Sequence, residues 1–340
     1  MSKVVAKVNF YNILECGYYT VSPRGHAFCS CQEMLFALSE WVKGKKVGET
    51  VTFFPAEDST HNKIYCYDIS FDHSKGALLT TWNGYETPED NSITAINGLA
   101  PIGTEDIEAT EFTEGYIPGF ETYFWFPKDK DSIFATICFE RRQNGRRDMN
   151  SYLEGFLASS HPKHTYLTDD EEIVYKRTPD DEGEYLPLFA AKPARLPGAL
   201  QYIKNSWAKV RKLRQQITLC PLVRSDDKAL WQTWLQKINL KSPSVSEHEI
   251  NFDTKVGWTP TQEELNTIVE QWISDSDSVG RMGVVLAGES TKTYWFDTVL
   301  VMSQVDLDVE KNGYGIINAQ SLLVALDAKK EQIFAQAYKE

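Results

Sequence analysis

Apolar positions recur along the chain with a period of two in some stretches and of three to four in others, and the switches between these periods mark out its elements. Lys3–Leu14 alternates as a first strand, with Val5, Val8, Phe10, Tyr11 and Ile13 as its apolar content. After the Ser22-Pro23-Arg24-Gly25 turn, Ser30 and Glu33 have the spacing of a capping box. Met34, Leu35, Leu38, Trp41 and Val42 then form the buried stripe of a helix that Gly44 ends. Short strands are expected at Val51–Phe54, Lys63–Phe71 and Ala77–Trp82, the last two joined by Asp72–Gly76. Residues 84–115 are acidic and rich in turn formers, with a short helix expected at Asp106–Thr110.

From Phe120 to Ser159 the pattern is strongest. Two aromatic and β-branched runs, Phe120–Phe126 and Ser132–Phe139, flank a charged turn at Lys128–Asp131 and predict a β-hairpin. Asn144-Gly145 supplies the positive φ that the next reversal needs. A helix follows, capped by Asp148 or Asn150, with Met149, Tyr152, Leu153, Phe156 and Leu157 at helical spacing. Arg141, Arg142, Arg146 and Arg147 thus fall on one tight turn before a helix N-terminus, where guanidinium groups can hold phosphate. With Glu140, Asp148 and Glu154 close by, the same turn reads equally as a solvated, self-neutralised surface.

Proline density and alternating charge make residues 161–198 a connector, in which Ile173-Val174-Tyr175 adds a strand. Beyond it, Leu200, Ile203, Trp207, Val210, Leu213 and Ile217 predict a long helix over Ala199–Leu219. Its other faces carry Lys204, Lys209, Arg211, Lys212 and Arg214, a second cationic candidate that reads equally as a basic amphipathic face lying on acidic parts of the same fold. A helix at Asp227–Ile238 and a strand at Val245–Phe252 come next. Thr261 and Glu264 form a second capping box, and Arg281–Ala287 with Thr293–Val301 reads as a hairpin. Val305–Val309 reads as a strand and Asn318–Tyr338 as the last helix. The fold class expected is α+β: an N-terminal domain over residues 1–160, the connector over 161–198, and a C-terminal domain over 199–340. Each domain is expected to be a mainly antiparallel sheet with packed helices.

Charge changes this picture. The net charge of -13 argues for an acidic surface, but it is segregated: residues 1–190 carry 17 Lys and Arg against 30 Asp and Glu, while residues 191–250 carry 11 against 4. Screening confines each charge to about 10 Å at ordinary salt, so this basic island sets its own local field. Six cysteines, at 16, 29, 31, 66, 138 and 220, lie scattered among apolar neighbours, the pattern of reduced buried thiols in a cytoplasmic protein. No apolar run reaches the roughly 20 residues a bilayer requires, so membrane insertion is not expected. His26-x-x-Cys29-x-Cys31 lacks the paired spacing of structural zinc, and Pro162 weakens a ligand face of His161 and His164. Asp169–Glu172 reads as a solvated acidic run. No phosphate loop, dinucleotide fingerprint or nucleophile elbow is present, so the reading assigns no catalytic residues, no metal and no cofactor.

The order of Asn9-Phe10-Tyr11, Tyr67-Asp68-Ile69, Leu78-Leu79-Thr80-Thr81-Trp82, Phe124-Trp125-Phe126, Asp131-Ser132-Ile133-Phe134-Ala135 and Ser151–Leu157 resembles the N-terminal domain of RexA-like phage exclusion proteins. In outline it is also similar to KwaB-like proteins of Kiwa phage defence. The resemblance covers about the first 160 residues. It implies a second α/β domain, a homo-oligomer, and DNA binding without sequence preference. Contacts would fall on phosphates, through Arg141, Arg142, Arg146, Arg147, Lys204, Lys209, Arg211, Lys212 and Arg214. A different class is open too: the acidic surface reads as a protein-interaction module, or as a phage-encoded inhibitor occupying the nucleic-acid groove of a host enzyme. A nuclease with unfamiliar carboxylates is the third reading.

Overall fold

The computed structural model describes residues 2–53, 63–84, 95–103, 107–108, 116–139, 145–195, 197–219, 250–279, 281–288, 292–296 and 300–338. The fold is α+β, with antiparallel sheets. In chain order it begins with β1 (Ser2–Thr20), β2 (Gly25–Phe28), α1 (Cys31–Trp41), β3 (Ile64–Asp72), β4 (Gly76–Gly84), β5 (Ala95–Asn97), β6 (Ile107–Glu108), β7 (Tyr116–Pro127) and β8 (Ile133–Phe139). There follow α2 (Arg146–Ser159), β9 (Thr165–Leu167), β10 (Ile173–Tyr175), β11 (Tyr185–Pro193), α3 (Pro197–Asn205), β12 (Val210–Leu219), β13 (Ile250–Gly257) and α4 (Gln262–Val279). The chain closes with β14 (Arg281–Leu286), β15 (Tyr294–Trp295), β16 (Met302–Val309), α5 (Ala319–Ala328) and α6 (Lys330–Ala337).

These elements form two compact units: Met1–Lys192 with Met302–Ala337, and Pro193–Val301 with Tyr338–Glu340. The first unit is built on one sheet of order β11-β1-β8-β7-β4-β3. On one face, Tyr11, Leu79, Phe124, Phe126 and Phe134 share a buried cluster with Met34, Leu35 and Leu38 of α1 and with Met149, Tyr152, Leu153, Phe156 and Leu157 of α2. Phe334 of α6 contacts Phe10 and Trp125, at ring distances of 5.0 and 6.0 Å. Both faces are therefore covered, and β4 is buried along its whole length. That is why Ala77, Leu78 and Leu79 are apolar in succession where a half-buried antiparallel strand would alternate. Each fully buried aromatic here contributes about 2–3 kcal/mol by leaving water.

The hairpin of β7 and β8 and the helices α1 and α2 stand where the sequence pattern puts them. Ser30 Oγ accepts from Glu33 N at 3.3 Å and the Glu33 carboxylate accepts from Ser30 N at 2.7 Å, so the capping box is complete. The start of α2 differs: its N-cap is Gly145 at φ 63°, with Asp148 and Asn150 already inside the helix. A Cβ at Gly145 would stand 2.7 Å from the Thr122 side chain, so both the positive φ and the close approach call for glycine here, and the helix starts without a side-chain cap.

Five expectations need correction. Val51 to Phe53 is not a strand, and Ile107–Glu108 forms β6 where a short helix was expected. The helix expected over Ala199–Leu219 is helical only over Pro197–Asn205; a 3-10 turn at Trp207–Lys209 leads into β12. The last helix is two, α5 and α6, with Asn318 accepting from Ser321 N at 2.8 Å to start the first. The 302–337 segment, expected in the C-terminal domain, belongs to the first unit because β16 pairs with β1 from Ser2↔Val309 to Asn9↔Met302. β1 has a hydrogen-bonding edge there that only a strand can satisfy. The helix expected at Asp227–Ile238 lies outside the described residues, and the strand expected at Val245–Phe252 is described from Ile250 as β13. Among the described residues no helix is long and apolar enough to cross a membrane. Among the described residues Cys16, Cys29, Cys31 and Cys66 are buried cysteines and Cys138 a half-buried one, none of them in a disulfide; Cys220 lies outside the described residues.

Candidate nucleic-acid interface

The two described arginines of the turn, Arg146 and Arg147, are presented differently. Arg141 and Arg142 lie outside the described residues. Arg146 is 8% exposed: its Nη1 donates to the Ala191 carbonyl at 3.2 Å and its guanidinium lies 5.4 Å from the Tyr11 ring centroid. It is a packing residue of the first unit, its flat cation stacked on an aromatic face. Arg147, on the first turn of α2, is exposed.

The second cationic group divides as well. Lys204 Nζ donates to Glu270 Oε1 at 2.7 Å, and Arg195 Nη2 donates to Glu270 Oε2 at 3.0 Å, so one carboxylate of α4 engages both cations. Arg211 Nη1 donates to the carbonyls of Ala208 and Val210, each at 2.8 Å. Lys209 and Lys212 are exposed.

What organises the rest is the sheet of the second unit, of order β13-β12-β14-β15. Leu213, Met282, Val284 and Leu286 point to one face and pack on Leu265, Val269 and Trp272 of α4, with Ile203 and Phe296 in the same core. Residues two apart alternate between faces, and residues directly opposite in neighbouring strands share a face. Arg214 stands opposite Lys255 on one side and Gly283 on the other, Gln216 opposite Asp253 and Arg281, and Gly283 opposite Trp295. The face away from the core therefore carries Lys212, Arg214, Gln216, Asp253, Lys255, Arg281 and Trp295. Of these Lys212, Asp253, Lys255 and Arg281 are exposed.

Trp295 is the centre of this surface. The Arg214 guanidinium lies over its ring at 5.0 Å and that of Arg281 at 4.3 Å. Cation–π contacts hold the guanidinium planes in place, so less rotamer freedom is lost when they meet a phosphate. Arg214 is further fixed by a bidentate pair with Asp253, at 2.9 and 2.5 Å, and by Thr293 Oγ1 at 3.1 Å. Hydrogen bonding from Arg214, then from Gln216, holds the Asp253 carboxyl well below the usual carboxylate range, so it is ionised and neutralises part of this patch. Four cations and one carboxylate remain on the face among the described residues.

The pattern of residues missed Lys255, Arg281 and Trp295 as members of a site. Val210–Leu219 reads as a helix by spacing, and only its recognition as a strand aligns these residues across the sheet. A cleft of about 450 Å³ also opens in the first unit, lined by Phe53, Asn150, Ser151, Glu154 and Phe189. Glu154, whose carboxyl burial holds above its ordinary value, is the one ionisable group among its described lining residues. The chain shows no match to known protein families, to characterised proteins or to solved structures.

Proposed function

We propose that the protein binds DNA without sequence preference, in the cytoplasm and in the service of phage defence or exclusion, through the open face of the β13-β12-β14-β15 sheet. The observation that carries this reading is the stacking of Arg214 and Arg281 on Trp295, with Lys212 and Lys255 on the same face. Cations on an antiparallel sheet around an aromatic ring match the chemistry of a phosphodiester backbone with splayed or stacked bases. Phosphates are recognised by charge and fork geometry, and among the described residues the face offers no helix to enter a major groove, so base readout is not part of the proposal. The order of motifs over the first 160 residues, similar to that of RexA-like and KwaB-like proteins, supports the assignment to antiviral defence and an oligomeric state.

Fluorescence anisotropy of labelled single strands and duplexes, titrated with the full chain across a salt series, tests the reading. With four cations less the one that Asp253 cancels, about three phosphates are neutralised, log affinity falls against log salt at a slope of roughly -2 to -3, and sequence has little effect. Lys212→Glu with Lys255→Glu weakens binding to every oligonucleotide alike. Absence of binding even at about 50 mM salt would remove the proposal.

A further inference from the structure

A second assembly of reactive side chains lies in the first unit. Cys29, just before α1, meets His161 and His164, just after α2, and one ligand atom from each falls within 4.8 Å of the others. All three are buried, at 4%, 2% and 7% exposure. Cys29 Sγ is 3.7 Å from His161 Nε2, and the two imidazoles stack at 4.8 Å. We infer that Cys29, His161 and His164 form a transition-metal site, with the ligand chemistry of zinc.

Three features of the geometry carry this. Tetrahedral zinc, with Zn–S near 2.3 Å and Zn–N near 2.0–2.1 Å, places its ligand atoms about 3.4–3.6 Å apart, so the observed 3.7 Å between sulfur and nitrogen already has the right span. His164 Nδ1 lies 2.9 Å from the Lys176 carbonyl and must donate to it, which leaves Nε2 with its lone pair. That backbone carbonyl is the outer partner that ligating histidines commonly have. Third, Cys29 holds a left-handed backbone at φ 70°, and its carbonyl presses on β1 so closely that a Cβ on Gly17 would stand 2.0 Å from it. Non-glycine residues adopt that conformation only at a cost, and the surroundings here fix it rather than relieve it.

The electrostatics agree with the geometry. The imidazoles ligate as neutral rings, and a divalent cation displaces the proton of the Cys29 thiol on binding. A zinc ion and one thiolate leave one positive charge, and the Glu33 carboxylate acts on all three ligands from the first turn of α1. A water or another small donor takes the fourth position. The ion would join two segments 132 residues apart within the first unit, the approach to α1 and the exit from α2.

Cobalt titration of the chelator-stripped full chain reads the site directly, because a thiolate ligand gives a sulfur-to-cobalt charge-transfer band in the near ultraviolet. We expect one equivalent of cobalt per chain with that band, displaced by zinc, and a rise in melting temperature with zinc. Cys29→Ser abolishes the band, Cys138→Ser leaves it, and His164→Asn weakens binding by more than about 100-fold. A wild-type chain that takes up no cobalt, or takes it up without a thiolate band, overturns the inference whatever the variants do. Persistence of the band in Cys29→Ser overturns it too, since another thiol would then be the ligand.

Discussion

Asp253 is the residue that limits the basic face. It sits between Arg214 and Gln216 and accepts from both, so it cancels one cation at the place where a phosphate would approach. Asp253→Asn keeps an acceptor for the guanidinium and removes the charge. The expected outcome is tighter DNA binding, by about threefold to tenfold at low salt, with a salt slope steeper by about one; anisotropy titrations check both. Single residues also show where sequence reading stops. Arg146 reads as a surface cation because arginine in a polar turn usually is one, yet its long stem and flat head let it bury against Tyr11. Cys29, His161 and His164 each appear in the sequence beside a distracting neighbour, and no spacing rule links positions separated by more than 130 residues. Their meeting is a product of the fold.

Elements differ in how much of them is local. α1 was legible by its capping box and α2 by its 3.6-residue stripe, each a property of a dozen consecutive residues, and Met149, Tyr152, Leu153, Phe156 and Leu157 are all buried as that stripe requires. The turn into α2 was legible for the same reason, and it makes a sharp prediction. Gly145→Ala must hold φ near 63° with its Cβ 2.7 Å from Thr122, so we expect a loss of about 1–3 kcal/mol, read as a lower urea midpoint at unchanged slope. β12 was not legible. Its residues are rich in Lys, Arg and Gln, good helix formers, and its apolar positions satisfy a helical period when joined to those of α3. Pairing with β13 and β14 on both edges decides the matter, and that pairing is tertiary. Because that stretch is a strand, two of the cations predicted around a rod, Lys212 and Arg214, lie instead on a sheet face.

At the scale of the whole molecule, alternation in Val305, Leu307 and Val309 marked β16 as a strand but said nothing of its partner. That partner is β1, and the helices after β16 bring Phe334 onto Phe10 and Trp125. Deleting residues 302–340 should therefore damage the first unit more than the second. We expect loss of its cooperative thermal transition and of near-ultraviolet dichroism, and a truncated chain that still melts sharply at the wild-type temperature would contradict this. The same pairing bears on how the protein is made. At about 5–20 residues per second, the ribosome delivers Val309 some 15–60 s after Ser2. For that interval the newborn strand stands with an open edge from Ser2 to Asn9, where a neighbouring nascent chain can dock in place of β16.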